Sequence, residues 1–164
     1  MFTDPHNYYY TPSGIYTSSV FTILLNHEVA RSKRYPSPLS ILLFSVCKPA
    51  PLAMEIRESV ELSVTQVLKT KLRQTDISSQ YGEDFLVLLT NTDISGAKIA
   101  AARLLTSLNT MIFPQENQPV EIGVCLGLAS HPGGASISSD FLLKQVTQAN
   151  REARSKGPGT LIVA

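Results

Sequence analysis

Two adjacent acids, Glu83 and Asp84, are the first candidates for chemistry in this chain. They follow Gly82 in the stretch QYGEDFLVLL, where a polar turn leads directly into a short apolar run. Carboxylates at such a turn can hold a divalent cation when further hard oxygen ligands lie close to them. Whether these acids take part in catalysis therefore depends on the partners that the rest of the chain supplies.

The other residues able to bind a metal are scattered along the chain. His6, His27 and His131 share no metal-site spacing with one another or with the cysteines. Cys47 and Cys125 each lie inside an apolar run. Buried cysteines of an intracellular protein are usually free thiols, so we predict two free thiols rather than a disulfide or a metal pair.

The composition is that of one compact domain of 164 residues. Charged residues make up 16% and hydrophobic residues 43% of the chain, and the formal net charge is +1. This balance argues against a strongly electrostatic nucleic-acid binder. No apolar run approaches about 18 residues, and the N-terminus lacks the pattern of a secretory signal. We therefore predict no membrane span, no nucleic-acid partner and a cytoplasmic location.

The elements that position the acids follow from the spacing of the apolar residues. Helices are predicted where apolar residues recur every three or four positions, and strands where short apolar runs lie between turn residues. Their order predicts an α+β sandwich, with helices packed around a central, mainly antiparallel sheet of about five strands. The predicted elements are a helix from Ser18 or Ser19, the strand LSILLFSVC, a helix carrying Leu52 to Leu72, the hairpin strands DISSQ and FLVLL, a helix over residues 96–112 that buries Ile112, the strand PVEIGVCLGLAS, a helix from Asp140 to Lys156 that buries Phe141, and an edge strand in TLIVA.

The domain boundary is predicted near residue 17. Residues 1–16 contain Pro5, Pro12 and Gly14, which favour an irregular lead-in, and residues 17–164 form the folded domain. Three consecutive tyrosines, Tyr8 to Tyr10, either bind a partner segment or pack on the surface of the domain itself.

Several short motifs stand in an order and at a spacing that resemble a known family. PLSILLF ends in the central strand, LRQTD is followed by SQYGEDFLVLL, CLGLA lies in the later long strand, and EARSKGPG closes the last helix. Together they resemble the GGDEF domain of bacterial diguanylate cyclases, from about Tyr10 to the C-terminus. The resemblance implies a nucleotide-cyclase-like fold and a role in signal transduction.

The chain departs from this family at the positions that bind metal and base. The resemblance places Ser45 and Cys47 where the family has a D-x-D motif, whose first Asp holds magnesium. It places Ala53 and Met54 where an Asn and an Asp recognise the guanine of GTP. Magnesium prefers anionic oxygen ligands, which neither a hydroxyl nor a thiol supplies. Neither Ala nor Met can make the hydrogen bonds that recognise guanine.

The hairpin and the last helix depart from the family as well. The sequence YGED, with Gly82, Glu83 and Asp84, is one residue shorter than the Y-G-G-D-E signature of the family. Of two basic residues that resemble triphosphate contacts, Arg154 is present and the other is Pro158. We therefore expect a degenerate GGDEF domain that is not an enzyme, with the two acids as remnants of a catalytic turn.

One family feature is retained, an R-x-x-D motif five residues before the signature. In many GGDEF domains this motif forms an inhibitory site for the product, cyclic di-GMP. Here it is Arg73 and Asp76, and the resemblance adds Arg103 from the next helix and Arg31 from the first. A guanidinium can bind a phosphate or the O6/N7 edge of guanine with two parallel hydrogen bonds, and a carboxylate can accept from the guanine donors.

Two functions remain open at this stage. In the first, the chain binds cyclic di-GMP through these arginines and reports it to a protein partner or a second copy, without a resident cofactor or metal. In the second, the fold is a ligand-free scaffold for dimerisation or partner binding. An exposed R-x-x-D pair that converges with Arg103 favours the first function, and a pair whose groups bond each other favours the second.

Overall fold

The computed structural model describes residues 9–47, 52–109, 111–113 and 119–164. None of the helices in these ranges is both long and apolar enough to cross a lipid bilayer. The helices are α1 (Ser18–Arg34), α2 (Met54–Lys71), α3 (Ile94–Leu108) and α4 (Ser139–Lys156), and the strands are β1 (Leu39–Cys47), β2 (Ile77–Tyr81), β3 (Asp84–Leu89), β4 (Met111–Phe113), β5 (Val120–His131) and β6 (Leu161–Val163).

The strands form one sheet in the order β2-β3-β1-β5-β4, and β6 pairs with β5 outside this path. All pairs on the path are antiparallel, and the β5–β6 pair is parallel. Strand β1 lies at the centre because its run from Leu39 to Ser45 is buried on both faces. The predicted α+β fold with a mainly antiparallel sheet of about five strands is confirmed, and β4, which was not predicted, is the sixth strand.

The two faces of the sheet are covered by different helices. Leu42 and Phe44 of β1 belong to an apolar cluster with residues of α2 and α3. Ile41 and Leu43 belong to a second cluster with residues of α1 and α4. This alternation follows from the two-residue period of a strand. A side chain of β1 therefore lies either on the α2–α3 face or on the α1–α4 face of the sheet.

The predicted hairpin is present, with a two-residue connection between β2 and β3. Tyr81 pairs with Asp84, so Gly82 and Glu83 form the loop. Gly82 has a φ of 62°. This conformation costs glycine little and is common at the first central position of a tight hairpin. The two strands are thus joined by the shortest common type of hairpin loop.

Helix α4 lies unusually close to β5 at Gly127. A Cβ atom built on this glycine would lie 2.7 Å from the carbonyl oxygen of Val146 and 2.9 Å from Cα of Asn150. Both atoms belong to the backbone of α4, so they cannot move away without moving the helix. The glycine therefore sets the distance between this helix and the sheet.

Two details of the predicted helices were wrong. The helix predicted over residues 96–112 ends at Leu108, and Ile112 is an exposed residue of β4 that pairs with β5. Backbone pairing with the long strand here outweighs the helical spacing of the apolar residues. Phe141 is 51% exposed because the buried stripe of α4 begins one residue later, at Leu142.

The lead-in is more ordered than predicted over its described part. Ile15 is only 3% exposed and belongs to the cluster beneath α2 and α3. Tyr16 forms a parallel bridge with Ser79 of β2, and its ring stacks on Tyr10 with 5.0 Å between the ring centroids. Of the three tyrosines, Tyr10 thus packs on the domain itself, while Tyr8 lies outside the described residues.

The prediction of two free thiols was wrong, because Cys47 and Cys125 form a disulfide with 6.7 Å between their Cα atoms. In the register of β1 and β5, Cys125 lies opposite Ser45 and Cys47 opposite Gly123. The cysteines are thus diagonal neighbours on one face, a relation that 77 intervening residues conceal in the sequence. Disulfides are rare in reducing compartments such as the cytoplasm, so this pair is unusual for the cytoplasmic location predicted above.

Candidate functional site

Ser45, at the position of the implied metal-binding Asp, lies on the α1–α4 face of the sheet. Its side chain is 1% exposed, and its Oγ donates to Oδ1 of Asn150 in α4 at 3.0 Å. Nδ2 of Asn150 donates in turn to the carbonyl oxygen of Leu43 at 3.0 Å. The hydroxyl is therefore part of a buried polar contact between the sheet and α4.

Glu83, at the hairpin turn, faces the other side. Its Oε1 accepts from Nη2 of Arg57 in α2 at 2.8 Å, and both side chains are at least half exposed. Asp84 is the first residue of β3 and is half-buried. Glu83 and Ser45 thus contact different helices on opposite faces of the sheet. The alternation along β3, in contrast, places Asp84 on the same face as Leu86, the α1–α4 face.

The residues at this end of β1 do not fit the magnesium site that the resemblance implies. Ser45 supplies no carboxylate, and its hydroxyl already bonds Asn150. Within the described ranges, no three His, Cys, Asp or Glu side chains lie close enough to share a metal. Cys47, at the second position of the implied D-x-D motif, is in the disulfide with Cys125.

Of the positions implied to recognise guanine and triphosphate, only Arg154 carries a matching group. Ala53 is the N-cap of α2 and makes no side-chain capping bond, and Met54 is 72% exposed. Arg154 is exposed in the last turn of α4. Pro158 follows the end of α4 and packs against Gly123 of β5, where a Cβ would lie 2.8 Å from its ring.

A cleft of about 220 Å³ lies between α2, the end of β1 and the hairpin. Its walls are mainly apolar, formed by Val46, Leu52, Val60 and Phe85. Polar groups enter from Arg57, Glu61, Gln80 and Glu83. The sequence suggests only a solvated helix face for Arg57 and Glu61, because the position of the hairpin beside α2 cannot be read from helical spacing.

The R-x-x-D pair forms a tight local structure after α2. Nη2 of Arg73 lies 3.1 Å from Oδ1 of Asp76 and also donates to Thr90 O at 2.9 Å and Thr92 Oγ1 at 2.6 Å. Oδ2 of Asp76 accepts from the backbone N and from Nε of Arg73 at 3.0 and 3.4 Å. The Asp76 side chain is 3% exposed, whereas the Arg73 side chain is 57% exposed. Asp76 therefore orients Arg73 and has little surface left for a ligand.

The other two arginines are exposed. Arg103 lies on the outer side of α3, with no ion pair or hydrogen bond in the described part of the chain. It is nine residues beyond the start of α3, about 13 Å along the helix axis from the loop that holds Arg73. Nη1 of Arg31 lies 3.7 Å from Oε1 of Glu28, within α1 on the opposite face of the sheet. The structure thus brings Arg73 and Asp76 together, and no contact within the described ranges joins Arg103 or Arg31 to this pair.

Comparison with solved structures places this fold among GGDEF domains. The GGDEF domain of DgcB from Caulobacter crescentus, solved with c-di-GMP, has a TM-score of 0.84 at 10% identity, covering 99% of this chain and 96% of that one. The FimX GGDEF domain from Pseudomonas aeruginosa has a TM-score of 0.77 at 15% identity, covering 94% and 98%. The diguanylate cyclase SiaD from Pseudomonas aeruginosa, solved with its activator SiaC, has a TM-score of 0.79 at 18% identity, covering 94% and 61%.

Sequence comparison gives the same family. Diguanylate cyclase A of Treponema denticola is 24% identical over 95 residues, which cover 57% of this chain and 25% of that protein. The chain thus matches only a quarter of the length of this curated relative. The family model described as "Diguanylate cyclase, GGDEF domain" matches residues 60–160. Because this match spans more than half of the chain, the protein belongs to the GGDEF domain family.

Proposed function

We propose that this chain is a non-catalytic GGDEF domain that acts as a regulatory module. The observation that carries the proposal is the contact between Ser45 and Asn150, which turns the position of the metal-binding Asp into part of the core. Phosphoryl transfer depends on positioned metal ions and charges, and loss of a single stabilising donor commonly costs about 10²–10³ in rate. Here the metal carboxylate, the guanine-recognising residues and the loop length all differ at once.

A product assay tests this proposal. The chain is incubated with GTP and either Mg²⁺ or Mn²⁺, beside an active diguanylate cyclase as positive control, and the nucleotides are separated by chromatography. We expect no cyclic di-GMP and no linear dinucleotide above the level without protein. A product that scales with protein concentration and disappears in a Glu83→Ala variant would contradict the proposal.

We further propose that the module binds cyclic di-GMP through Arg73 and Arg103. Asp76 and Thr92 hold the Arg73 guanidinium in place while more than half of that side chain stays exposed. A fixed guanidinium loses less rotamer entropy when it binds a phosphate or a guanine edge. Asp76 then serves as a positioning residue rather than as an acceptor for guanine, because its carboxylate is nearly inaccessible. The complex of the DgcB domain with c-di-GMP is consistent with such a ligand.

Calorimetric titration with cyclic di-GMP tests this binding. Arg103→Ala is the informative variant because the Arg103 side chain makes no described bond within the fold, so its loss affects the ligand rather than stability. We expect about tenfold weaker binding for Arg103→Ala and no change for Arg151→Ala, an exposed arginine on α4. The absence of heat at millimolar ligand would eliminate this function while leaving the lack of catalysis untouched.

A ligand-free scaffold is the second candidate, and the closed Arg73–Asp76 pair favours it. Each group of this pair already has partners inside the domain, so a ligand is not needed to satisfy them. Among the similar structures, SiaD was solved with a protein activator. Sedimentation of the chain with and without cyclic di-GMP separates the candidates, because a scaffold that dimerises on its own shows the same mass in both samples.

A further inference from the structure

We propose that the cleft between α2 and the β2–β3 hairpin binds a compact organic cation, an aromatic amidine or amine. Glu61 would pair with its charge, and the side-chain oxygen of Gln80 would accept one of its N–H groups. This inference goes beyond the proposed function, because it involves neither cyclic di-GMP nor the two arginines assigned to it. It assigns a ligand class to a cavity that the family's chemistry leaves without a use in this chain.

The carboxylate of Glu61 has unused hydrogen-bond acceptor positions. It is half-buried in the second turn of α2, and the hydroxyl of Ser13 lies 3.3 Å from its Oε1. No lysine, arginine or histidine of the described residues forms an ion pair with it. A carboxylate has about four acceptor positions, so a single neutral donor leaves most of them available to a ligand.

Gln80 adds an acceptor that has no donor. Its Oε1 is shielded from water and has no hydrogen-bond partner among the described residues, while its Nε2 donates to the carbonyl oxygen of Gly82 at 3.0 Å. The bond from Nε2 to Gly82 fixes which amide atom of Gln80 is the oxygen, since exchanging O and N would place two acceptors against each other. A buried acceptor without a donor is unfavourable, and a ligand N–H would relieve the cost. The terminal torsion of glutamine has a broad energy minimum, so the amide can turn toward such a ligand.

One donor group of Arg57 and one of Gln80 are already bonded inside the domain. Nη2 of Arg57 bonds Oε1 of Glu83 at 2.8 Å, and the amide nitrogen of Gln80 bonds the hairpin loop. The charges of Arg57 and Glu83 compensate each other, so the charge left to a ligand is the negative charge of Glu61. A cation complements this charge, whereas an anion would be repelled by Glu61.

The walls and the size of the cleft restrict the body of the ligand. Val46, Leu52, Val60 and Phe85 present an apolar surface, which favours a ring over a hydrated inorganic ion. The volume of about 220 Å³ is below the range of about 300–1,000 Å³ that is typical for drug-sized ligands. A single aromatic ring carrying an amidinium or ammonium group satisfies both the walls and the acceptors.

The test uses two probes of the same shape and opposite charge, benzamidinium and benzoate. The isotope-labelled chain is titrated with each probe, and binding is followed by the amide NMR signals of the hairpin and α2. We expect saturable shifts around Gly82 and Val60 with benzamidinium, at a Kd of about 1 mM or tighter, and none that saturate with benzoate. Equal binding of both probes, or shifts that never saturate, would overturn the proposal.

Two matched variants locate the charge that binds the probe. Glu61→Gln removes the acid in the cleft, and Glu58→Gln makes the same change on an exposed position of α2 outside it. We expect about tenfold weaker benzamidinium binding for Glu61→Gln and no change for Glu58→Gln. The melting temperatures of both variants are measured alongside, so that a loss of fold is recognised as such. Identical affinities of the two folded variants would refute the assignment to Glu61.

Discussion

Replacing Asn150 by Ala tests whether the polar contact beneath α4 holds the helix on the sheet. This side chain is 3% exposed and bonds both strands on which the helix lies. It accepts from Ser45 Oγ at 3.0 Å, donates to Leu43 O at 3.0 Å and lies 3.5 Å from Cys125 O. Truncation leaves the hydroxyl of Ser45 without an acceptor in a site that water does not reach.

The expected cost follows from these contacts. The hydrogen bonds of Asn150 with Ser45 and with Leu43 contribute about 1 kcal/mol each. The buried Ser45 hydroxyl, left without an acceptor, adds a desolvation cost of about 1 kcal/mol. The free energy of unfolding of Asn150→Ala should therefore fall by about 3 kcal/mol. For a chain of this size, this corresponds to a melting temperature lower by about 6–12 °C.

Urea denaturation followed by circular dichroism gives the free energies, and a double-mutant cycle isolates the contact. Ser45→Ala alone should cost about 1–2 kcal/mol, because the Oδ1 of Asn150 then lacks its donor. The double variant should cost less than the sum of the two by about 1 kcal/mol. Gln148→Ala, at an exposed position of the same helix, serves as the control and should stay within about 0.5 kcal/mol of the parent.

Additive effects in this cycle would refute the reasoning. So would an Asn150→Ala variant as stable as the parent chain. Either result would mean that Ser45 does not depend on α4, and the hydroxyl would then be available at the end of β1.

Three further perturbations test other contacts. Gly127→Ala should lower the free energy of unfolding by about 1–3 kcal/mol, measured in urea, because the added methyl meets the backbone of α4. The pKa of Tyr16 is raised by its hydrogen bond with Tyr10, by burial and by the neighbouring phenol. The neutral Tyr16 phenol therefore stabilises the folded state fully at pH values below about 10, the ordinary pKa of tyrosine. This contribution to the free energy of unfolding is lost as the pH rises from about 10 through the raised pKa of the folded state. In a Tyr10→Phe variant, the pKa of Tyr16 should fall toward its ordinary value, as measured by spectrophotometric titration. A titration curve without this change would contradict the role of Tyr10 in raising that pKa. Alkylation of the unfolded, unreduced chain should leave Cys47 and Cys125 unmodified, whereas modification of both without reduction would exclude the disulfide.

Much of the fold could be predicted because local patterns determine it. The run from Leu39 to Phe44 is apolar at every position but Ser40, which predicts a central strand, and the Gly82–Glu83 turn between two short runs predicts a hairpin. The error at Ile112 has a different origin. Its spacing matches a helix, and only pairing with the distant β5 places it in a strand.

The site could be predicted less well because its contacts depend on register and packing. The resemblance places Ser45 where the family has an acid, but the sequence does not show that Asn150, 105 residues away, bonds its hydroxyl. It places Arg73 and Asp76 three residues apart, but not the burial of the carboxylate. The orphan acceptor of Gln80 has no sequence signal at all, since it depends on how the hairpin lies against α2.

The parallel bridge at Tyr16 determines how far this domain can be shortened. The carbonyl oxygen of Tyr16 accepts from Gln80 N at 3.0 Å, and the Tyr16 backbone N donates to Ser78 O at 3.2 Å. Tyr16 therefore covers part of the outer edge of β2. A chain cut just before α1 would lose this cover together with the apolar anchor of Ile15, and uncovered strand edges template association between copies. Expression of a trimmed version should therefore begin upstream of Tyr10, even though α1 begins only at Ser18.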